Sequence, residues 1–154
     1  MTLNASSENR FNLQFTTHSS LSDTVLSAQV PEITQTNVII PYDGNQIKVS
    51  GDSTEIGELN LTMKLEEDWG NYIELFEWME WNRLYANDPS KMKFDIIEHF
   101  ILDAEYKPIL SFQYGYVFPI VLEQISHTTM SQTGEELEFT VTMAVNTLIL
   151  NKNI

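Results

Sequence analysis

The sequence predicts a mainly β protein, an antiparallel sandwich or barrel, with one α-helix at its flank. Two segments, 59–65 and 137–146, alternate strictly between apolar and polar residues, which is the period of a strand with one buried face. Between them, apolar residues from Tyr72 to Met79 recur at helical spacing. Other short apolar runs, separated by turn residues, bring the predicted count to seven or eight strands, which is typical of sandwiches and barrels.

The N-terminal half predicts short strands separated by turns. Residues 11–15 alternate as a half-buried strand, and residues 25–30 predict a second strand that Pro31 stops. The segment 38–54 predicts a hairpin or an extended loop, because Gly and Asn tolerate the positive φ of tight turns. Its two turn signals are Asp43-Gly44-Asn45 and Gly51-Asp52-Ser53-Thr54.

A helix is expected to begin at Asp68, a good N-cap residue that follows two further acids. It should end near Tyr85 to Asn87, because Pro89 disfavours a helical residue before it. Its apolar positions cover two sides, which indicates a core or subunit-interface helix in preference to a ligand-stacking box. These positions are Tyr72, Leu75, Phe76 and Met79 on one side and Trp78, Trp81 and Tyr85 on the other, with Trp69 just before them.

The C-terminal half again predicts strands. Residues 94–102 form one with a bulge at Ile96-Ile97, followed by strands at 109–114 and 121–127 around an aromatic turn at 115–119. A turn at 131–135 leads into the long strand 137–145. A short apolar tail follows at 148–150.

Length and charge narrow the function classes. The 154 residues fit a single domain spanning positions 1–154, with residues 1–10 as a flexible or partner-ordered arm. Eight basic residues against 22 acidic ones give a net charge of −14. Such a surface repels phosphate, which disfavours binding to nucleic acid or to an anionic membrane. There is no cysteine, and we expect neither a secretory signal nor a membrane-spanning segment.

Residues that could carry catalysis do not cluster in the sequence. No phosphate loop, zinc-protease motif or nucleophile elbow occurs, and His18, His99 and His127 are far apart. The acidic runs 66–68 and 135–138 fit helix capping and a solvated face better than cation binding. We therefore expect no enzyme activity, no cofactor and no metal site.

Two blocks resemble the tail tube protein family of contractile-tailed, T-even-type bacteriophages. The first runs from Ile40-Pro41-Tyr42 through a basic strand ending in Gly51-Asp52-Ser53-Thr54, an alternating strand, and the acidic, Trp-containing helix 72–82. The second runs from Val117-Phe118-Pro119-Ile120 to the alternating strand 136–146. Segment 1–36 matches that family poorly, and 94–118 aligns only as strand pattern.

The resemblance implies a structural virion protein that closes into hexameric rings, with inner sheets joined into a negatively charged channel. It implies stacking of rings through the loop around Tyr42, and a surrounding sheath, a baseplate and a tape-measure protein as partners. DNA would pass through without specific binding, and the protein would be made in the host bacterial cytoplasm. The candidate contact residues are Tyr42, Asp43, Gly44, Lys48, Gly51, Asp52, Thr54, Trp78 and Trp81, and the candidate channel-facing residues are Glu138, Thr140 and Thr142.

Alternatives remain on the same fold and outside it. A baseplate protein that initiates the tube, or the inner tube of a secretion or contractile injection system, would share the fold. A small β-barrel that binds an apolar ligand around the Trp-rich helix belongs to another functional class.

Overall fold

The computed structural model describes residues 6–129 and 136–152, and in them all strand pairings are antiparallel. The predicted mainly β class with one helix is confirmed. The predicted turn at 131–135 and the first five residues of the predicted N-terminal arm lie outside the described residues. The elements are β1 (Phe11–Phe15), β2 (Val25–Ala28), β3 (Ile33–Tyr42), β4 (Asn45–Ile56), β5 (Leu59–Lys64), α1 (Gly70–Leu84), β6 (Asp95–Leu102), β7 (Pro108–Leu122), β8 (Glu138–Ala144) and β9 (Thr147–Lys152).

The long strand β7 joins two sheets. Its first part pairs with β6 and β9, which gives a front sheet in the order β1-β6-β7-β9. Its last part pairs with β8, which gives a back sheet in the order β7-β8-β5-β2. The strand bends at Tyr116, whose φ of 52° lies in the left-handed region. The predicted turn at 115–119 is therefore wrong, because one left-handed residue bends the strand while both flanking ladders continue.

The two sheets pack face to face around one apolar core. The alternating segments 59–65 and 137–145 both place their odd-numbered apolar residues inside, as predicted. Front-sheet residues complete the same cluster, and α1 closes it with Leu75 and Trp78. The core residues of the sheets include Leu13, Phe15, Ile97 and Tyr114 from the front and Leu59, Leu61, Met63, Phe139, Val141 and Met143 from the back.

A buried polar pair lies among the apolar residues of the front sheet. His99 Nδ1 is 3.0 Å from the hydroxyl of Tyr114, and both side chains are buried. Burial lowers the pKa of His99 to about 4 and raises the pKa of Tyr114. Both groups are therefore held in their neutral forms, in which they share a hydrogen bond.

Helix α1 packs through a face that hydrophobicity alone does not reveal. Its buried residues are Asn71, Leu75, Trp78 and Asn82. The two amides are buried because they bind backbone: Asn71 Nδ2 donates to Lys64 O at 2.6 Å, and Asn82 Oδ1 accepts from Lys93 N at 2.7 Å. Phe76, predicted to lie on the packed face, is 51% exposed. The buried face of α1 is therefore rotated relative to the predicted apolar face. Two of its four positions are occupied by the amides Asn71 and Asn82.

Two predicted boundaries shift, and one is confirmed. The helix begins at Gly70, with Trp69 in the cap position at a left-handed φ of 60°, and Asp68 accepts the N–H of Gly70 without capping the helix. The predicted end near Tyr85 to Asn87 is confirmed, since Leu84 is the last helical residue and Tyr85 is the C-cap. The second strand ends at Ala28, two residues short of the prediction. The apolar tail is a regular strand, β9, because its backbone pairs with β7.

Acidification should weaken this fold through His99. Its folded pKa of about 4 lies below the value of about 6.5 in an unfolded chain, so the unfolded chain binds the proton more tightly. The resulting stability is fully present above about pH 6.5 and is lost as the pH falls toward 4, by up to roughly 3 kcal/mol. Urea unfolding followed by Trp fluorescence at pH 7.5 and 4.5 measures this loss. His99→Gln, which does not titrate, should lose less stability over the same interval, and equal losses would contradict the assignment.

Two tryptophans of α1 should respond differently to truncation. Trp78 is 2% exposed and its indole N–H donates to Lys93 O at 2.8 Å, so Trp78→Ala should lower the unfolding free energy by about 3–5 kcal/mol. Trp81 is 37% exposed, and Trp81→Ala should cost about 1 kcal/mol through its hydrogen bond to Lys91 O. Urea unfolding of both variants tests this order, and comparable losses would contradict it.

Candidate assembly interface

Strands β3 and β4 form a hairpin that projects from the body, called the arm below. Neither strand pairs with the front or the back sheet in the described residues. The ladder runs from Ile33 opposite Ile56 at the base to Tyr42 opposite Asn45 at the tip, a length of about 33 Å at the usual strand rise. All ten residues of β3 are exposed. The arm is therefore a two-stranded ribbon without cover from its own chain.

One face of the arm is apolar. Register places Val38 opposite Val49 and Ile40 opposite Ile47. Together with Tyr42, these side chains form the apolar face of the arm, and they are between 38% and 66% exposed. A two-stranded hairpin alone is marginally stable in water, so this face gains most if another surface covers it. Of these five residues, only Tyr42 is among the candidate contact residues predicted from the sequence. The apolar run Val38-Ile39-Ile40 is the sequence signal that could have identified Val38 and Ile40.

Most of the predicted contact residues lie on the arm. Asp43 and Gly44 form its tip turn with φ of 47° and 77°, as a two-residue hairpin turn requires. Lys48 lies on the opposite face, across from Ile39. The structure therefore brings the predicted tip residues and Lys48 together on one projecting element.

The predicted second turn, Gly51 to Thr54, is wrong. These residues continue β4, and the register shifts between Gln35 and Asn37 on the facing strand. A Cβ at Gly51 would lie 2.8 Å from the carbonyl oxygen of Thr36, so the glycine permits a bulge in place of a turn. Asp52 and Thr54 are exposed on β4 below this bulge, toward the base of the arm.

The two predicted tryptophan contacts are not part of the arm. Trp78 is buried in the core of its own chain, so its indole offers no surface to a neighbour, and that prediction is wrong. Trp81 is partly exposed and carries Lys93 Nζ 4.2 Å from its ring centroid. The rest of the exposed helix face combines Ile73, Phe76 and Leu84 with acidic residues.

The predicted channel residues lie on the outward side of the back sheet. They face residues of β5 in three cross-strand pairs, Lys64 with Glu138, Thr62 with Thr140 and Asn60 with Thr142. We call these six residues the polar face of the back sheet. Thr142 donates to Asn60 at 2.9 Å and is 7% exposed, so it contributes little surface. Helix α1 lies on the core side of this sheet, where Tyr72 meets the ring of Phe139.

His18 and His127 each stack on a tryptophan ring. The ring of His18 stacks on Trp78 at 4.0 Å between centroids, and its Nδ1 is 3.0 Å from Asp95 Oδ2. Burial raises the pKa of Asp95, but hydrogen bonds from the His18 side chain and from backbone N–H groups outweigh it and hold that pKa below its usual range. His127 stacks on Trp69. Within the described residues, no three His, Cys, Asp or Glu side chains are grouped to hold a metal, and no helix is long and apolar enough to cross a membrane.

Comparisons with known proteins identify the fold. No protein-family profile and no curated protein matches this chain. A chain of the anti-feeding prophage cap, the AFP tube terminating cap, matches with a TM-score of 0.74 at 15% identity, over 99% of this chain and 95% of that chain. A chain of the PVC sheath-tube complex, an extracellular contractile injection system in its extended state, matches at 0.73 and 14% identity, over 97% and 93%. Hcp1 from Flavobacterium johnsoniae matches at 0.52 and 12% identity, over 92% and 96%.

These matches cover nearly the whole chain and include the helix. The chain therefore has the fold found in tail tube proteins of contractile injection systems and in Hcp proteins. The expected tail-tube fold is confirmed, and the narrower kinship with T-even phage tubes stays a prediction.

Proposed function

We propose that this chain is the subunit of the inner tube of a contractile phage-type tail, with a structural role and no catalysis. Copies would close into hexameric rings, and the rings would stack into a hollow tube. The observation that carries this proposal is the arm, whose apolar face has no cover in its own chain. In a stack of rings, a neighbouring copy supplies that cover. The likeness in fold to injection-system tube structures supports the same conclusion.

Open sheet edges support association within a ring. The front sheet ends in β1 and β9, and the back sheet ends in β2 and the last part of β7. Unpaired strand edges invite pairing with another chain, and a closed ring leaves no such edge exposed. Side-by-side pairing of copies would extend both sheets around the ring.

The polar face of the back sheet is our candidate for the channel wall. Hydroxyl and amide groups dominate it, and Lys64, its sole cation, lies 3.6 Å from Glu136 in an ion pair. A wall of this kind has no free basic group for phosphate, so DNA would pass without adhering. The polar face itself is close to neutral, because Glu138 lies opposite Lys64. The repulsive field that we expect in the channel would come from the net charge of −14 on the whole chain.

The exposed face of α1 is our candidate for the outer wall, where the sheath would lie. It is on the core side of the back sheet, away from the polar face. The segment 66–84 contains six acidic residues and one basic residue. The tape-measure protein would fill the channel and the baseplate would meet one end of the tube. The assembled protein would belong to the virion after synthesis in the host bacterial cytoplasm.

Substitution in the arm should abolish tube formation without unfolding the chain. Ile40→Ser places a polar group on the apolar face and should leave rings or single copies, while its melting temperature as a single copy changes little because the site is exposed. Ile39→Ser is the matched control, since the adjacent residue points to the opposite face. Negative-stain microscopy of purified protein is the measurement. A wild-type protein that stays monomeric would contradict the tube proposal, and one that stops at isolated rings would favour a tube initiator.

The channel assignment can be tested with single cysteines, because the chain has none of its own. In assembled tubes, Thr140→Cys should react with a small maleimide but not with a maleimide carried on a large protein, which cannot enter the channel. Phe76→Cys on the exposed helix face should react with both. Equal reaction of Thr140→Cys with the two reagents would place the polar face outside the channel.

A further inference from the structure

We infer that Asp43-Gly44, at the tip of the arm, is a site of spontaneous covalent modification, where Asp43 isomerises to isoaspartate through a cyclic imide. It is the sole Asp-Gly or Asn-Gly step in the sequence. The chemistry of this site needs no partner and does not depend on the proposed function. Its consequence for assembly rests on the tube proposal and is tested separately.

The reaction joins two groups that are adjacent in the chain. The amide nitrogen of Gly44 attacks Cγ of Asp43 and gives up its proton, and the carboxyl oxygen leaves as water, which closes a succinimide ring. A second water molecule then opens the ring at either carbonyl carbon. Opening at Cγ regenerates aspartate, whereas opening at the backbone carbonyl leaves the main chain running through Cβ and Cγ. Water released equals water taken up, so the product is an isomer and no co-reactant is needed.

The attacking nitrogen is unpaired and unhindered. Within the described part of the chain, the N–H of Gly44 donates no hydrogen bond, and Asp43 and Gly44 are both exposed. Beyond the two chain neighbours, no described atom lies within 4 Å of the position that a Cβ of Gly44 would take. The carboxyl group of Asp43 forms no ion pair in the same residues, so no cation holds it away from the nitrogen.

The tip can open without disturbing the core. Neither sheet pairs with the arm in the described residues, and the turn lies at the far end of the ladder, beyond the pair of Tyr42 and Asn45. Local opening costs least at exposed ends of this kind. Ring closure requires rotation about the bonds of Asp43, which such opening permits.

A second aspartate on the arm provides an internal comparison. Asp52-Ser53 is also exposed, and serine is a small residue. The N–H of Ser53, however, donates to Thr36 Oγ1 at 3.3 Å, and both residues continue β4. Attack at Asp52 therefore requires this hydrogen bond to open first. Exposure is common to the two aspartates, and the unpaired nitrogen distinguishes Asp43.

Isomerisation changes the turn that closes the arm. Isoaspartate adds one main-chain atom to a two-residue turn, whose geometry sets the pairing of Tyr42 with Asn45. The next apolar pair, Ile40 with Ile47, lies just below that closure. An isomerised copy should therefore have a frayed tip and, under the tube proposal, should assemble poorly.

Peptide mapping of aged protein tests the site. Wild-type protein is kept dilute, as single copies, at neutral pH and physiological temperature, and isoaspartate is quantified in its peptides by chromatography and mass spectrometry. We expect isoaspartate to accumulate at Asp43 at least about tenfold faster than at Asp52. Gly44→Asn is the matched control, because asparagine tolerates a left-handed φ but its side chain crowds the nitrogen and should slow the reaction. Equal rates at Asp43 and Asp52, or an unchanged rate in Gly44→Asn, overturn the site.

Fractionation of the aged protein tests the consequence. Partly isomerised wild-type protein is concentrated until it assembles, and the assemblies are sedimented. We expect the copies with isoaspartate at Asp43 to be enriched in the supernatant relative to the pellet. Equal content in the two fractions overturns the effect on assembly. Fresh wild-type protein that forms no sediment overturns the tube proposal, and the mapping result then still decides the modification site.

Discussion

The structure depends on a β-ribbon that cannot bury its own apolar face. In a two-stranded hairpin each strand has one hydrogen-bonded neighbour, and neither sheet of the body lies beneath β3 and β4. Burial of apolar surface contributes about 25 cal/mol per Å², and the side chains on the apolar face of the arm keep between 38% and 66% of their surface exposed in a single copy. Under the proposed function, a neighbouring copy covers this face and stabilises the arm.

The body of the molecule is arranged to hold that ribbon in place. The arm leaves the back sheet between β2 and β5, where Pro31 is buried and Gly57 N donates to Glu32 O at 2.7 Å. The β2–β5 ladder ends in the same region, and the core beneath it is packed by Leu59, Leu61 and Met63. The base of the arm is thus fixed by a packed sheet. An apolar surface held at a defined position can be recognised by a neighbour with little ordering cost.

Much of this fold could be predicted from the sequence because the alternation of apolar and polar residues along its strands is visible there. Strict alternation located β5 and β8, and the Asp43-Gly44 signal located the tip of the arm. The continuity of β7 was not predictable, because a left-handed Tyr116 carries no distinctive local signal. The sequence predicts a turn at Gly51 because glycine occurs in turns and bulges alike, and only the facing Thr36 decides between them. The sequence does not predict the buried helix face, because Asn71 and Asn82 are polar residues whose hydrogen-bond partners are backbone groups elsewhere in the chain.

The sequence predicts only the part of the candidate interface that is local in the chain. Its tip residues are adjacent in sequence, so a local turn signal reveals them. Residues 8–11 and 25–30 line clefts between the β1 and β2 edges, and no sequence pattern shows that these two sheet edges lie close to each other.

The most direct test of the central claim is backbone hydrogen–deuterium exchange of the arm in dissociated and assembled protein. The account predicts fast exchange across residues 37–48 in single copies and exchange slowed at least about tenfold on assembly, with β5 and β8 protected in both states. An arm that exchanges at the same rate in both states would show that no neighbour covers it.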